Sequence, residues 1–177
     1  VRYRAVVLTR IALAQTKAGD RPGGRQTLDA ALQAASTIKR PFAKAYAYER
    51  IALAMMEIDG FSEARTFDQA VDTAALISDD KLRAQTLWTL ATGQRLAGDG
   101  PGADETMTHA ETATAEIKSP FTRVWMFSEI ALTHLAADRQ QSAWAAFNRA
   151  LGIAEGIDGA WGRARALARL ASALSEL

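Results

Sequence analysis

One short string recurs at a fixed spacing along this chain and restricts it to folds built by stacking one unit on the next. Arg10-Ile11-Ala12-Leu13-Ala14 returns as Arg50-Ile51-Ala52-Leu53-Ala54, and looser copies begin at Leu90-Ala91-Thr92, Ile130-Ala131-Leu132-Thr133 and Leu170-Ala171-Ser172. The branched residue that leads each copy falls at 11, 51, 90, 130 and 170, so the steps are 40, 39, 40 and 40 residues. Periods of this size mark arrays of supersecondary units, each unable to bury its apolar face alone.

Within each period the apolar spacing is helical. Val7, Leu8, Ile11, Ala14 and Ala18 follow one another at steps that return to one helix face, and about a fifth of the chain is alanine, the strongest helix former. The pattern predicts helices over residues 2–18 and 25–38, with Gly19-Asp20 ending the first and Pro22-Gly23-Gly24 turning the chain. A second pair is expected over 42–58 and 62–77, with a turn at Asp59-Gly60. The third pair starts after Ser78-Asp79-Asp80 and is divided at Gly98-Asp99-Gly100-Pro101-Gly102. The fourth covers 121–137 and 140–155, and a last, unpaired helix follows Gly156-Ile157-Asp158-Gly159. Lys39-Arg40-Pro41-Phe42 and Lys118-Ser119-Pro120-Phe121 are near duplicates, with proline suited to the first helical position and Ser119 to the cap before it.

The second helices keep a register of their own. A large apolar residue is followed three later by alanine at Leu28/Ala31, Phe67/Ala70, Met107/Ala110 and Phe147/Ala150, and each second helix closes on isoleucine, at 38, 77, 117 and 157. The alanines directly after the anchors, at 12, 52, 91, 131 and 171, mark places where paired helices come close. The domain expectation is one helical-repeat domain over 1–177, with repeats at about 1–40, 41–79, 80–119 and 120–159 and a capping helix over 160–177.

Composition narrows the function. With no cysteine, the chain forms neither a disulfide framework nor a thiolate metal site. No run approaches the ~20 apolar residues of a membrane span, so membrane insertion is not expected, and the compartment stays open. A net charge of +1 argues against a general nucleic-acid binder. The charge is uneven: residues 1–40 carry +6, residues 41–159 carry −7 and residues 160–177 carry +2. Such basic ends around an acidic middle serve solubility, contact between copies, or steering of a charged partner. The chain opens on Val1, ten residues before its first anchor, as Pro41 stands before Ile51, which fits a cut from a longer protein or a processed precursor.

Catalytic groupings are nearly absent. His109 and His134 stand alone, each expected as a surface or packed side chain, and Glu105, His109 and Glu116 make a poor metal face. The glycines at 98, 100 and 102 separate two helices rather than following a strand, so they do not read as a phosphate loop. No spacing assembles a nucleophile with its base. We therefore expect no enzymatic activity, no cofactor and no metal.

A branched residue followed by a small one in the first helix, Gly-Asp at the turn (Gly19-Asp20, Gly98-Asp99), and small, large and small residues in the second helix (Ala103, Met107, Ala110; Ala143, Phe147, Ala150) together resemble the tetratricopeptide repeat. The resemblance covers nearly the whole chain and rests on four recurrences. The period exceeds the family's 34 residues, and Gln15, Met55, Gln94 and His134 stand where an aromatic is usual, so a HEAT-like stack is the rival architecture. Either way the expected fold is all-α: a right-handed α-solenoid of stacked antiparallel helix pairs. What the resemblance implies is a scaffold whose first helices line a concave surface that holds a peptide or another protein.

On each first helix, positions five and two before the anchor and two and five after it lie on the face opposite it. That face changes from repeat to repeat while the anchor face does not. It supplies the candidate partner-binding residues Tyr46, Glu49, Trp88, Arg95, Trp125 and Ser128. Leu13, Leu53 and Leu132, on the same face, read as packing between helices. The expected function is a non-catalytic adaptor for a protein or peptide partner. The alternatives are a self-associating element that forms a homo-oligomer, or a recruiting or regulatory fragment of a larger protein.

Overall fold

The computed structural model describes residues 2–59 and 64–175. Over the described residues the chain is all-α, with nine helices and no strand: α1 Arg2–Lys17, α2 Arg21–Ser36, α3 Pro41–Asp59, α4 Ala64–Ala75, α5 Asp80–Leu96, α6 Gly100–Glu116, α7 Pro120–Ala136, α8 Gln140–Glu155 and α9 Ala160–Leu174. None is long and apolar enough to cross a membrane. The expected turn at Gly60 and the expected helix start at Ser62 lie outside the described residues. Two compact units divide the chain, Val1–Thr106 and Met107–Leu177.

The second-helix ladder forms the interior. Leu28/Ala31, Phe67/Ala70, Met107/Ala110 and Phe147/Ala150 are all buried. The closing isoleucines sit just past the helix ends rather than inside them. Each donates its N–H to the carbonyl three residues back, Ile38 to Ala35 and Ile77 to Ala74 at 3.0 Å, Ile117 to Thr114 and Ile157 to Ala154 at 3.2 Å. The side chain of Ile38, Ile77 and Ile117 is then turned inward and buried beside the end of its helix.

First-helix anchors are interior at Ile51, Leu90, Ile130 and Leu170, but Ile11 is 44% exposed. The difference is one of neighbours: α3 packs on both α1 and α2, whereas among the described residues no element covers the corresponding side of α1. The close-approach alanines behave in the complementary way. Ala12, Ala52, Ala91 and Ala131 are fully buried, and Ala171 is exposed, since among the described residues α9 packs on α7 and α8 and no further helix covers that face.

Two stretches expected as loops are the opening turns of helices. α2 begins at Arg21 and α6 at Gly100, so Pro22-Gly23-Gly24 and Pro101-Gly102 are helical. Asp20 caps the first by accepting the Gly23 N–H at 2.9 Å, and Asp99 does the same for Gly102 at 2.9 Å. Proline in a first turn forfeits no bond, because its N–H would have had no partner there. The glycines make room: a Cβ on Gly23 or Gly102 would stand 2.1 or 2.2 Å from the capping carboxylate, and one on Gly24 would stand 2.3 Å from Thr16 Oγ1 and 3.0 Å from the Ala12 carbonyl oxygen. The remaining caps agree with the sequence. Asp79 accepts from Leu82 N–H at 2.7 Å and Ser119 from Thr122 N–H at 3.2 Å, with Pro120 first in α7.

Among the described residues, the turns within the first, third and fourth helix pairs share their backbone form and their closing bond. Gly19, Gly98 and Asp138 all hold left-handed backbone, at φ 93°, 80° and 57°. In each turn the next residue returns its N–H to the carbonyl five back, Asp20 to Gln15, Asp99 to Gln94 and Arg139 to His134, all at 2.9 Å. This is the paired-bond helix ending that favours glycine.

Candidate functional site

The N-terminal halves of α1, α3 and α5 carry two adjoining clefts within the first unit. One, of about 490 Å³, lies between α3 and α5 and is lined by Phe42, Ala45, Tyr46, Glu49 and Arg50 on one side and Leu82, Gln85, Thr86, Trp88, Thr89 and Leu90 on the other. The other, of about 420 Å³, lies between α1 and α3 and is lined by Tyr3, Val6, Val7 and Arg10 with Phe42, Ala43 and Tyr46. Phe42 and Tyr46 belong to both, so the clefts meet on α3. Four of the lining side chains are large, apolar and well exposed, Tyr3, Val7, Phe42 and Tyr46. Rings and aliphatic groups left in water at adjoining clefts form the sort of patch that proteins keep for a partner.

Periodicity explains the gathering. Tyr46 and Glu49 stand five and two before Ile51, and Gln85 and Trp88 stand five and two before Leu90. Neighbouring helices that share a register bring equal positions side by side. Phe42 lies one turn before Tyr46, and Arg50 and Thr89 flank the same stripe. These three escaped the sequence reading because the face was centred on the anchor, while the cleft is centred one turn before it.

Glu49 differs from its neighbours. It is only 8% exposed although it lines the cleft. A Cβ on Gly93 of α5 would lie 3.7 Å from its Oε1, so the carboxylate faces the α5 backbone. Burial raises its pKa above the usual glutamate range, and the charge of Arg50, next along α3, offsets part of that rise. Among the described residues its carboxylate has no hydrogen-bond or ion-pair partner, and its oxygens are not fully enclosed.

The other candidates lie elsewhere. Arg95 is bound to Asp104 of α6. Trp125 and Ser128 belong to α7 in the second unit. Trp125 is half-buried. Ser128 is fully buried and donates its hydroxyl to the Val124 carbonyl at 2.8 Å. His109 is exposed. His134 is buried, with Nε2 3.1 Å from Glu111 Oε1, and Arg149 Nη1 donates to Glu111 Oε2 at 2.6 Å. Among the described residues, no three His, Cys, Asp or Glu side chains gather closely enough to hold a metal ion.

No protein-family model and no curated protein matches the chain. Among solved structures, it is similar to the crystal structure of Ton1535 from Thermococcus onnurineus NA1, with a TM-score of 0.66 and 18% identity over 95% of this chain. The chain spans about half of that protein, 46% of its length. At this identity the likeness is one of fold, and it agrees with an all-helical chain.

Proposed function

We propose that the chain is a helical-repeat scaffold of the tetratricopeptide kind, a right-handed stack of helix pairs, and that it binds an extended segment of another protein along its first helices without catalysing a reaction. The observation that carries this reading is the meeting of the two clefts at Phe42 and Tyr46, which offers a ring-lined track across α1, α3 and α5. Peptide-holding surfaces combine buried apolar pockets with a few polar groups that fix register. Here Glu49, Arg50, Gln85, Thr86 and Thr89 in one cleft and Arg10 in the other are the polar groups set among the apolar ones.

Selection from a random peptide library tests the reading. We expect families of sequences whose binding falls by roughly tenfold or more in Tyr46→Ala and Trp88→Ala, in the range of aromatic interface anchors, while the helical signal and unfolding midpoint of Tyr46→Ala match the parent. Recovery of no sequence, or of sequences indifferent to both changes, overturns it.

A second reading, association with another copy through α1, is favoured by the exposure of Tyr3, Val7 and Ile11 on one helix. Light scattering over a range of concentration and salt distinguishes it. A monomeric mass at high concentration and low salt excludes self-association.

A further inference from the structure

Glu49 has no evident structural task. A carboxylate taken out of water is costly unless it is paired, and stable folds pair nearly all of theirs. Glu49 is more than nine-tenths buried as a residue and has no hydrogen-bond or ion-pair partner among the described residues, so its carboxylate oxygens, which are not fully enclosed, keep only the water of the cleft. Arg50 does not compensate for it as a salt bridge would, since it is exposed and adjacent in the chain. Glutamine would fill the same space without the charge. The cleft onto which Glu49 opens is walled by Tyr46 of α3 and Trp88 of α5.

These features select the chemistry of an occupant. Arg50 also lines the cleft, but it is exposed whereas Glu49 is buried, so an anion is disfavoured beside Glu49 itself, and an apolar group there leaves the carboxylate with neither water nor partner. A metal ion requires several hard ligands, and Glu49 is the one acid in the lining. A flexible side chain that ends in a cation satisfies the whole site. Its apolar stem lies along the rings, its charge meets the carboxylate, and ring faces attract cations.

We infer that the cleft between α3 and α5 receives a lysine or arginine side chain of the partner segment, with Glu49 as its counter-ion and Tyr46 and Trp88 as its walls. This rests on the groove reading above and adds the class of residue recognised. The neighbouring cleft, lined by Tyr3, Val6 and Val7 with Arg10, then takes an apolar residue of the same segment.

The peptides selected by the parent protein provide the test. We expect a lysine or arginine at one fixed position, roughly tenfold or greater loss of affinity when it is replaced by glutamine, as for loss of a charge-assisted hydrogen bond, and a similar loss for the original peptide on Glu49→Gln. On the Glu49→Gln protein the charged and neutral peptides should bind alike. Glu155→Gln, the same charge change on an exposed residue of α8, should leave the preference intact. The Glu49→Gln protein should also unfold at a denaturant concentration no lower than the parent at neutral pH.

Peptides selected without a fixed basic residue, or a preference that survives Glu49→Gln, overturn the inference and leave the groove reading standing. Recovery of no peptide removes both. A Glu49→Gln protein clearly less stable than the parent also overturns it, because the carboxylate then serves the fold.

Discussion

His134 Nε2 lies 3.1 Å from Glu111 Oε1, a buried ring of α7 held by a carboxylate of α6 that precedes it by 23 residues. That bond, more than any other influence, holds the Glu111 carboxyl below the usual glutamate range; burial works against it and Arg149 adds to it. A depressed carboxyl pKa stabilises the fold above the unfolded-state value, and the stabilisation fades as pH falls through the ordinary glutamate range toward the folded value. Glu111→Gln is expected to cost about 1–3 kcal/mol at pH 7, the range for leaving a buried polar partner unsatisfied. The gap from the parent should close in acid. Urea melts at both pH values read this out.

Glu49 should show the opposite sign. Its carboxyl is raised, so the folded state holds a proton more tightly than the unfolded chain does. Stability from this group is fully present below the unfolded pKa and is lost as pH rises through the folded one. The difference in urea midpoint between Glu49→Gln and the parent should therefore be near zero in mild acid and grow in favour of the variant toward neutral pH. A difference that stays flat with pH would show that the carboxyl titrates normally.

Two glycines in comparable helices should respond differently to alanine. A Cβ on Gly24 meets Thr16 Oγ1 at 2.3 Å and the Ala12 carbonyl oxygen at 3.0 Å, and Thr16 Oγ1 already donates to that carbonyl at 3.0 Å. Gly24→Ala must push α1 and α2 apart, at about 1–3 kcal/mol. A Cβ on Gly93 finds only ordinary contacts, 3.6 Å from Phe67 and 3.7 Å from Glu49. Gly93→Ala should therefore stabilise by about 0.5–1 kcal/mol through helix propensity alone. The two midpoints, measured side by side, check the pair.

Asp138 carries the left-handed backbone that Gly19 and Gly98 carry at equal places in their turns. An L-residue with a Cβ is strained there, aspartate less than most. Asp138→Gly should raise stability by about 0.5–1 kcal/mol, after allowance for the looser unfolded chain. Gly98→Ala should lower it by about 1 kcal/mol or more. Thermal melts that move in the same direction for both changes would contradict this account of the turn.

The helices were legible in the sequence because their ends are set locally. Asp79, Ser119 and Pro120 cap or open helices as their chemistry predicts. The ladder from Leu28 to Ala150 was legible because a buried stripe repeats. Misreadings occurred where local chemistry serves a distant purpose. Pro22-Gly23-Gly24 has the composition of a loop, yet its glycines are helical, two making way for Asp20 and for α1. Within the candidate site, the direction of a side chain was readable and its depth was not. Thr9, Glu49 and Ser128 all stand two before an anchor and are all buried, but of the three it is Glu49 that lines one of the two clefts described above. Arg95 faces the expected way and is taken by Asp104, a partner nine residues on that a face-by-face reading does not consider.

The position four after each of the first four anchors has a bond of its own. Gln15 accepts from Thr27 at 2.7 Å, Met55 Sδ from Thr66 at 3.7 Å, Gln94 donates to Asp99 at 3.3 Å, and His134 joins Glu111. Arrays of near-identical units are prone to misassembly while they fold, because one copy can dock where another belongs. A helix that slipped by one period of the sequence would find similar ladder and anchor residues, but its amide, thioether or imidazole would meet the wrong partner and be left unmatched. The four private bonds therefore distinguish copies that the shared spacing of anchors leaves alike.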